Sequence, residues 1–583
     1  MFYKMRHICI LLLALIPVCG RSQTGITCTD TVAARVMMGA YDPAAYLASV
    51  VIDHPDAISA GIRNNVSPDS LHAYLDVLRS FRNRNTGSDT TSPTRGIGAA
   101  RRWIYTKFQQ FSAANENRLR PSYLQFDKTL CSITRHRNVL AVLPGSDTTD
   151  KAVIVIEAHM DSRCTDLCDT ACVAEGMEDN GSGTALVIEL ARVMSRYSYK
   201  HTIVFMTTTS EEQGLDGAQA FVNYAQLHNI KIRAVMNNDV IGGIICGHTS
   251  SPPGCPFFKH IDSTQVRLFS SGGFNSFHKG LSRFIKLEYK EMQRPFVSVP
   301  MTVSIMTPED RTGRGGDHIP FRMAGFTAMR FTSANEAGDA NVTSGTYEDR
   351  QHTSGDSLGA DTDLDGSLDE YFVDFNYLAR NTVINANAAA MAAIGPRTPN
   401  FTLTTTGGNL RITLTAETGY PQYRVGVRTT TFDWDSVYTL SGGPTVFDIP
   451  LSATGNHIVS IASVDDRGVE SLFSRELQVV VTPAGVGSAP YIPRPIELMQ
   501  NKPNPADEAT MIGVLVNNKV AYKDAYISIR DLNGREVQCT PISLTEGMNE
   551  IIYDHGYNMS GTYMYSLVID GRVIDSKRMV FAN

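Results

Sequence analysis

Short, mainly apolar runs alternate along this chain with longer stretches in which apolar residues recur at helical spacing. The apolar runs cover 153–156, 202–206 and 234–236, and helical spacing covers 67–111, 184–194 and 371–393. Continuous β-branched and apolar runs are typical of strands buried on both faces of a parallel sheet. From 135 to 394 strands alternate with helices, which predicts an α/β domain: a mostly parallel sheet with helices on both faces.

The pattern changes after Pro396, where short strands with alternating polarity replace helices. Such strands are predicted at 410–414, 423–427, 446–449 and 457–463, and they indicate a small all-β sandwich over 397–481. A Pro/Gly/Ser-rich stretch at 482–495 is typical of a linker. We predict a second small all-β sandwich at 496–583, an α/β catalytic domain at 65–396 and an N-terminal lead-in of unassigned fold at 23–64.

The first 22 residues carry the pattern of a secretory signal peptide. Lys4 and Arg6 precede an apolar run from Ile8 to Val18, and cleavage after Ser22 is expected. A lipoprotein with Cys19 as the lipidated residue is the weaker alternative, since Val18 stands where a small residue is required. No later run is long enough to cross a bilayer. The protein is therefore expected to be exported, either secreted or attached to the cell surface.

Charge and cysteine content add two expectations. A net charge of −7 over 583 residues gives no reason to expect a nucleic acid or an acidic membrane surface as partner. Export permits disulfides among the eight cysteines that remain after cleavage. We expect Cys246 and Cys255 to pair. Among Cys164, Cys168 and Cys172, we expect one disulfide and one leftover thiol.

Polar residues follow the first buried strand where open α/β sheets place their ligand crevice. The strand at 153–156 leads into His159 and Asp161, and Asp179 follows before a Gly-Ser-Gly turn and an apolar helix. Neutral imidazole is a good zinc ligand, and a carboxylate two residues away suits a partner that orients the ring. A carboxylate at the strand–helix turn suits a bridge between two metals. A polar loop that merely covers the strand explains this stretch equally well.

Later residues favour the metal site. The second strand ends at Glu211 and Glu212, the third delivers Asp239, and His352 follows late in the domain. Adjacent carboxylates at a strand end are costly unless a cation or a proton lies between them. Two histidines and three carboxylates gathered in this way predict a two-metal hydrolytic site.

These motifs resemble those of the co-catalytic di-zinc aminopeptidase family, whose relatives include glutamate carboxypeptidase and the glutaminyl cyclases. The matching stretches are H-M-D at 159–161, D-N-G-S-G at 179–183, E-E at 211–212, N-D at 238–239 and H-T-S-G-D at 352–356. The resemblance extends from about Ser67 to Ile394. It implies two zinc ions, one held by His159 and Asp239, one by Glu212 and His352, with Asp179 bridging them.

The same resemblance assigns roles beyond the metal ligands. Glu211 matches the general base, and Asp161 matches the partner of His159. Asp317 and His318, in D-H-I-P-F at 317–321, match an element beside the substrate pocket. His318 therefore competes with His352 for the last ligand position, but H-T-S-G-D fits that position better.

One further acidic stretch has the pattern of a cation loop. Asp361, Asp363, Asp365 and Gly366 occupy positions one, three, five and six of a calcium loop. Position twelve is Phe372, so the bidentate carboxylate is missing. A simple turn is the preferred interpretation, with weak calcium binding as the alternative.

The C-terminal domains carry resemblances of their own. V-D-D-R-G-V-E-S at 464–471 resembles the late hairpin of a fibronectin type III domain, for which we expect the role of a spacer. L-M-Q-N-K-P-N-P-A at 498–506, I-R-D-L-N-G-R-E at 529–536 and G-T-Y-M-Y-S-L-V-I-D-G at 561–571 resemble the C-terminal sorting domain of the type IX secretion system of Bacteroidetes-type bacteria. That resemblance implies the type IX machinery as a partner and passage through the periplasm. The final domain is expected to fold independently and to be dispensable for hydrolysis; another β-sandwich without a sorting role is the alternative.

The function that these expectations favour is an exported zinc exopeptidase, an aminopeptidase acting on peptide substrates. Glutaminyl cyclization is a rival because D-H-I-P-F resembles the cyclase stretch, but cyclases use one zinc. A metallo-carboxypeptidase is a second rival and would need a cation in the pocket, for which Arg311, Arg314 and Arg350 are candidates. A catalytically inert surface binding module is the non-enzymatic alternative.

Overall fold

The computed structural model describes residues 23–247, 257–311, 314–335, 350–406, 409–429, 431–443, 445–450, 455–481, 495–506, 509–517, 521–532, 534–554 and 561–581. The expected signal peptide, Cys255 and nearly all of the expected linker lie outside these residues.

A nine-stranded sheet organises the first four hundred residues. Its strands are β1 (Thr24–Cys28), β2 (Arg120–Leu130), β3 (Ile133–Leu143), β4 (Val153–His159), β5 (Thr202–Thr208), β6 (Ile232–Asn238), β7 (Gln265–Phe269), β8 (Thr302–Ile305) and β9 (Ala328–Ser333). They lie in the order β1-β2-β3-β5-β4-β6-β9-β7-β8. The central β5, β4, β6 and β9 run parallel, and antiparallel pairings extend the sheet at both sides. The central strands are buried along nearly their whole length, as their apolar sequences predict.

Helices cover both faces of this sheet. Their bounds are α1 (Thr31–Met37), α2 (Pro55–Asn65), α3 (Pro68–Ser80), α4 (Gly96–Ala114), α5 (Gly183–Met194), α6 (Asp216–Leu227), α7 (Phe277–Glu288), α8 (His318–Met323) and α9 (Phe375–Ile394). One apolar core holds side chains of α2–α5, α7 and α9, and a second, on the opposite face, holds those of α1, α6 and α8. The predicted α/β fold with two covered faces is confirmed.

Some predicted boundaries differ from the structure. The helical stretch expected over 67–111 is two helices, α3 and α4, separated by a segment that reaches towards the end of β4. The last helix begins at Phe375 instead of Tyr371 because Asp374 caps it, accepting a hydrogen bond of 2.8 Å from Tyr377 N. Tyr371 belongs instead to a two-stranded sheet of β10 (Gly359–Ala360) and β11 (Glu370–Tyr371).

The lead-in at 23–64 is part of the α/β domain. Thr24, Thr27 and Cys28 of β1 pair with β2 at the edge of the main sheet. Helix α2 packs on the same apolar core as α9 through Ile58 and Ile62. The large sheet therefore needs these residues to complete one edge and one face.

Two antiparallel sandwiches follow, and each places a three-stranded sheet on a four-stranded one. The first sandwich contains β12 (Asn400–Thr406), β13 (Asn409–Ala416), β14 (Gln422–Arg428), β15 (Ser436–Ser441), β16 (Val446–Pro450), β17 (Gly455–Val464) and β18 (Leu477–Val481). The terminal module contains β19 (Ile496–Leu498), β20 (Ala509–Val516), β21 (Ala525–Asp531), β22 (Glu536–Pro541), β23 (Gly547–Asp554), β24 (Gly561–Ile569) and β25 (Arg572–Phe581). Strand orders β12-β13-β16 and β15-β14-β17-β18 recur in the terminal module as β19-β20-β23 and β22-β21-β24-β25. The predicted pair of all-β sandwiches is confirmed.

The first sandwich is docked on the α/β domain through a buried network of charged side chains. Arg283 of α7 lies 2.7 Å from the carboxylate of Glu476, which also accepts hydrogen bonds from Arg428. All three side chains are buried. Arg283 also stacks over Trp434, with its guanidinium carbon 4.6 Å from the ring centroid. A buried, paired charge network of this kind fixes the relative orientation of the two domains.

The terminal module also reaches the α/β domain through β23. Its Gly547 lies against Phe274, since a Cβ there would come within 3.2 Å of the ring. The Glu550 carboxylate covers Gly273 so closely that a Cβ there would meet Oε2 at 2.6 Å. The terminal module therefore lies against the α/β domain, and its independent folding and its dispensability for hydrolysis stay predictions.

Disulfides brace the loop that follows β4. Cys164 pairs with Cys172, and Cys168 pairs with Cys131 of the β2–β3 turn. The expected leftover thiol is therefore wrong, because Cys131 is brought to the loop by the fold. Cys246 is disulfide-bonded, and Cys255, its expected partner, lies outside the described residues. No helix among the described residues has the length and hydropathy needed to span a bilayer.

Candidate metal centre

The chain's candidate ligands meet at the carboxyl edge of the central strands. His159 is the last residue of β4, and Asp239 directly follows β6. Glu212 follows β5 after a turn at 209–211, and Asp179 lies in a segment (177–182) that leads into α5. Parallel neighbours place their carboxyl ends at the same edge, so residues far apart in sequence lie side by side.

The first cluster consists of His159, Asp179 and Asp239. His159 Nε2 lies 3.1 Å from Asp179 Oδ1 and 3.4 Å from Asp239 Oδ1. All three side chains are buried. The three ligand atoms all lie within 4.8 Å of one another, which is the spacing of donors around a single ion.

The second cluster shares Asp179 with the first. His352 Nε2 lies 2.9 Å from Asp179 Oδ2 and 3.3 Å from Glu212 Oε2. Asp179 therefore turns one oxygen to each histidine, which is the geometry of a carboxylate able to bridge two cations. Glu212 Oε1 is buried without a hydrogen-bond partner. An orphaned carboxylate oxygen within such a cluster fits a metal ligand.

The electrostatics of both clusters favour a cation. Burial alone would lower the pKa of His159, but Glu211, Asp239, Asp161 and Asp179 raise it well above its usual range. Burial would likewise lower the pKa of His352, yet hydrogen bonds to Asp179 and Glu212 raise it to about 9. Both histidines thus lie in an excess of negative charge that a divalent ion neutralises. Histidine nitrogen with carboxylate oxygen is a donor set that suits zinc.

Asp161 organises the site differently from the expected arrangement. The ring Nδ1 of His159 lies 3.1 Å from the backbone carbonyl of Asp161 and 3.6 Å from its carboxylate. The carboxylate instead accepts hydrogen bonds of 3.3 Å from the backbone N–H groups of Glu211 and Glu212. Asp161 therefore orients the imidazole with its main chain and the two glutamates with its side chain.

Glu211 lies beside the two clusters, where its carboxylate could act as a general base. Its carboxylate makes no hydrogen bond to any residue that the structure describes, and it interacts electrostatically with His159 and Asp239. Burial, followed by the carboxylates of Asp239 and Glu212, raises its pKa well above the usual range, against the influence of His159. A carboxylate with a raised pKa is suited to accept a proton.

Asp356 supports Asp179 and not the His352 ring. Its carboxylate accepts hydrogen bonds of 2.8 Å from Glu178 N and 3.0 Å from Asp179 N. Burial raises the pKa of Asp356 to about 7. The H-T-S-G-D motif at 352–356 therefore supplies both a ligand candidate, His352, and the group that positions the bridging carboxylate, Asp356.

Two arginines contact carboxylates of the candidate metal ligands, and the sequence analysis predicts this role for neither. Arg163 Nε donates 2.7 Å to Glu212 Oε2, and its Nη2 lies 2.7 Å from His352 Nδ1. Arg330 Nη2 lies 3.3 Å from Asp239 Oδ2. The signal for Arg163 is its place directly after the H-M-D-S motif, whereas Arg330 lies within a buried strand and carries no such signal.

Asp317 and His318 lie behind the centre and are fully buried. Asp317 accepts a hydrogen bond from Thr208 Oγ1, and burial raises its pKa to about 7. His318 Nε2 lies 3.2 Å from the carbonyl of Glu309. Neither side chain belongs to the metal-ligand clusters found among the described residues. Asp317 instead interacts electrostatically with His159.

The acidic loop at 361–366 forms a separate cluster. The carboxylates of Asp361, Asp363 and Asp365 offer oxygens within 4.8 Å of one another. Backbone N–H groups of the same loop already use them: Gly366 N donates 2.8 Å to Asp361. Phe372 is buried in place of a twelfth-position carboxylate. These contacts are those of a turn, as the preferred interpretation expects.

Comparison with known proteins finds a peptidase family and curated metalloprotease relatives. Residues 138–245 match the family described as Peptidase family M28. A probable zinc metalloprotease of Pyricularia oryzae is 33% identical over 367 residues, covering 60% of this chain and 69% of that protein. A probable zinc metalloprotease of Leptosphaeria maculans is 30% identical over 383 residues, covering 63% and 84%.

Two solved structures resemble part of the chain. The Legionella pneumophila LapA aminopeptidase is 20% identical with a TM-score of 0.42, covering 59% of this chain and 76% of its own. A Porphyromonas gingivalis glutaminyl cyclase is 14% identical with a TM-score of 0.37, covering 55% and 97%.

Proposed function

The chain belongs to peptidase family M28 and is a zinc metallopeptidase, and from this premise we propose that it is an aminopeptidase with two zinc ions. The observation that carries the proposal is the shared carboxylate: Asp179 presents one oxygen to His159 and the other to His352. His159 and Asp239 would hold one ion, and Glu212 and His352 the other. A one-metal cyclase has no need for the complete first cluster.

Bound zinc supplies Lewis acidity that polarises a scissile carbonyl and makes water more acidic. Glu211 then takes the proton of the attacking water on a carboxylate oxygen and gives it to the leaving amine. Asp161 keeps Glu211 in reach of that water by holding its backbone N–H. The unprotonated α-amine of a peptide would be a nitrogen ligand for one of the ions, which supports exopeptidase action at the N-terminus.

Metal content and turnover of paired variants test this function. Elemental analysis should give two zinc ions per chain, and aminoacyl anilides should be hydrolysed. Glu211→Gln keeps the side-chain volume but removes the base, so turnover should fall by roughly 10²–10⁴-fold with both metals retained. Glu212→Gln, the matched control one residue away, should lose metal. A stoichiometry of one that excess zinc does not change would reject the two-metal proposal.

We also propose that the protein is exported and that residues 496–583 act as a sorting signal of type IX secretion. The three motifs at 498–506, 529–536 and 561–571 support this role. The first sandwich, with its V-D-D-R-G-V-E-S hairpin, is proposed to be a fibronectin type III-like domain. Removing 496–583 in the native host should leave the enzyme in the periplasm, and normal appearance of the truncated enzyme outside the cell would reject the sorting role.

A further inference from the structure

The chain that carries Asp239 leaves β6 in a strained conformation. Val240, the next residue, is buried and has a φ of 55°, in the left-handed region that β-branched residues very rarely adopt. Such a conformation persists only where the surrounding structure holds it firmly. The carbonyl of Val240 accepts hydrogen bonds of 2.8 Å from Ser333 N and 2.9 Å from Thr332 Oγ1, both on β9. The sheet therefore fixes one side of the strained residue.

The other side is held by Glu178, the neighbour of the bridging candidate Asp179. Glu178 Oε2 accepts a hydrogen bond of 3.0 Å from Gly242 N, and Oε1 accepts one of 2.7 Å from Gly243 N. The side chain is buried, so these bonds are made away from water. A Cβ at Gly242 would come within 2.9 Å of Oε2, and only glycine lets a carboxylate approach the backbone this closely. Glu178 therefore joins the chain before Asp179 to the chain after Asp239.

Two further side chains of the same segment bind the loop after β6. Ser182 Oγ accepts a hydrogen bond of 3.1 Å from Ile241 N. Asn180 Nδ2 donates 2.8 Å to the carbonyl of Asn238, and Asn180 Oδ1 accepts a bond of 3.4 Å from Val240 N. The two segments are thus joined from one residue before the candidate ligand on β6 to four residues after it.

We propose that Glu178 is a positioning residue of the first metal site, whose carboxylate sets the distance between Asp179 and Asp239. The inference rests on the proposed two-zinc function, in which these two carboxylates and His159 hold one ion. His159 Nε2 lies 3.1 Å from Asp179 Oδ1 and 3.4 Å from Asp239 Oδ1. Two ligands on separate segments keep this spacing only if the segments are tied together, and Glu178 supplies the tie nearest to the bridging carboxylate.

The tie acts on one of the two sites. Asp239 belongs to the first cluster and not to the second. Asp179 belongs to both, but its N–H also donates 3.0 Å to Asp356, so its position does not depend on Glu178 alone. Loss of the Glu178 carboxylate should therefore move Asp239 and weaken binding of the first ion, with no effect on the second.

The test is zinc affinity measured at each site separately by competition with a chromogenic chelator. Glu178→Met keeps a side chain of similar length and removes both acceptor oxygens. Combined with His352→Ala, which leaves only the first site, it should lower zinc affinity by roughly 10–100-fold, the usual contribution of a group that orients a ligand. Combined with Asp239→Ala, which leaves only the second site, it should change nothing.

A matched control separates this role from general support of the fold. Glu189, a buried glutamate of α5, accepts hydrogen bonds from Ser67 N and Arg192 and belongs to neither cluster. Glu189→Met should lower the melting temperature of the metal-free protein and leave both zinc affinities unchanged. Ser182→Ala removes only the bond from Ile241 N and should lower first-site affinity by a smaller factor than Glu178→Met.

Unchanged first-site affinity in the Glu178→Met variant would overturn the inference, and so would an equal loss at both sites. If that variant does not fold, Ser182→Ala decides, and unchanged first-site affinity there would overturn the inference as well. Failure of the proposed function is a different result, because the unmodified protein would then bind a single zinc ion that excess zinc does not change.

Discussion

The guanidinium of Arg163 donates a 2.7 Å hydrogen bond to Glu212 and leaves the other carboxylate oxygen of Glu212 without a partner. This contact orients the carboxylate of Glu212, whose Oε2 also lies 3.3 Å from His352 Nε2. The same guanidinium also donates to the carbonyls of Cys164 and Thr165, in a loop braced by two disulfides. A rigid loop therefore determines the orientation of a candidate metal ligand.

We predict that Arg163→Met weakens the second metal site. Partners that orient ligands typically contribute 10–100-fold to metal affinity, so zinc affinity at one of two sites should fall by about that factor. Competition with a chromogenic chelator measures it, and the first site should be unaffected. Arg135→Met removes an exposed Arg–Asp pair on β3 and is the control. Unchanged zinc affinity at both sites would show that Arg163 does not orient Glu212 for metal binding.

Different roles are predicted for the two late histidines. His352→Ala should lose one zinc per chain, because Nε2 is the nitrogen that faces Asp179 and Glu212. His318→Ala should retain two, since its ring is buried behind the centre and bonds the carbonyl of Glu309. Elemental analysis after dialysis decides between them. Loss of metal from the His318 variant alone would exchange the assignments.

The central fold was predictable because its signals are local. Strands β4, β5 and β6 each contain a run of apolar residues, and polar residues follow that run at the sheet edge. The polar residues His159, Glu212 and Asp239 follow these strands at their carboxyl ends, so the rule for parallel sheets places them together.

Other features depend on contacts that no local pattern encodes. Strand β1 is short and mostly exposed, so its sequence carries no buried-strand signal, and only pairing with β2 defines it. Cys131 pairs with Cys168, 37 residues away in the sequence, because the fold brings the β2–β3 turn to the loop that follows β4. Arg330 lies in a buried strand with no motif around it, and its role is defined only by the ion pairs that it makes with Asp239 and Asp310 in the folded protein.

Stability should decrease in mild acid because of His201. Its side chain is buried, Arg233 Nη1 donates 2.8 Å to its Nε2, and its Nδ1 lies 3.0 Å from the carbonyl of Asp150. Burial, and then the charge of Arg233, lower its pKa to about 4. In the unfolded chain the imidazole takes up a proton near pH 6.5, whereas in the folded protein it does so only near pH 4. The free energy of unfolding is therefore at its full value above about pH 6.5 and decreases as the pH falls towards 4.

Protonation of His201 should lower the free energy of unfolding by at most about 3 kcal/mol, as given by the difference between its pKa in the folded and in the unfolded chain. Thermal unfolding measured between pH 7.5 and 4.5 should show a steep decrease in melting temperature. His201→Gln should be less stable at pH 7.5 and show a flatter acid dependence, whereas His54→Gln, an exposed histidine, should follow the unmodified protein. Parallel curves for the His201 variant and the unmodified protein would contradict the assignment.

Removal of the terminal module should leave metal binding and hydrolysis nearly unchanged. Among the described residues, the two clusters proposed to hold zinc contain no side chain beyond His352, so a chain ending at Ala489 should retain two zinc ions and hydrolyse aminoacyl anilides at nearly the original kcat. Metal analysis and kcat for an aminoacyl anilide measure both effects. A truncated enzyme that loses zinc would instead show that β23 supports the metal centre through Phe274 and Gly273.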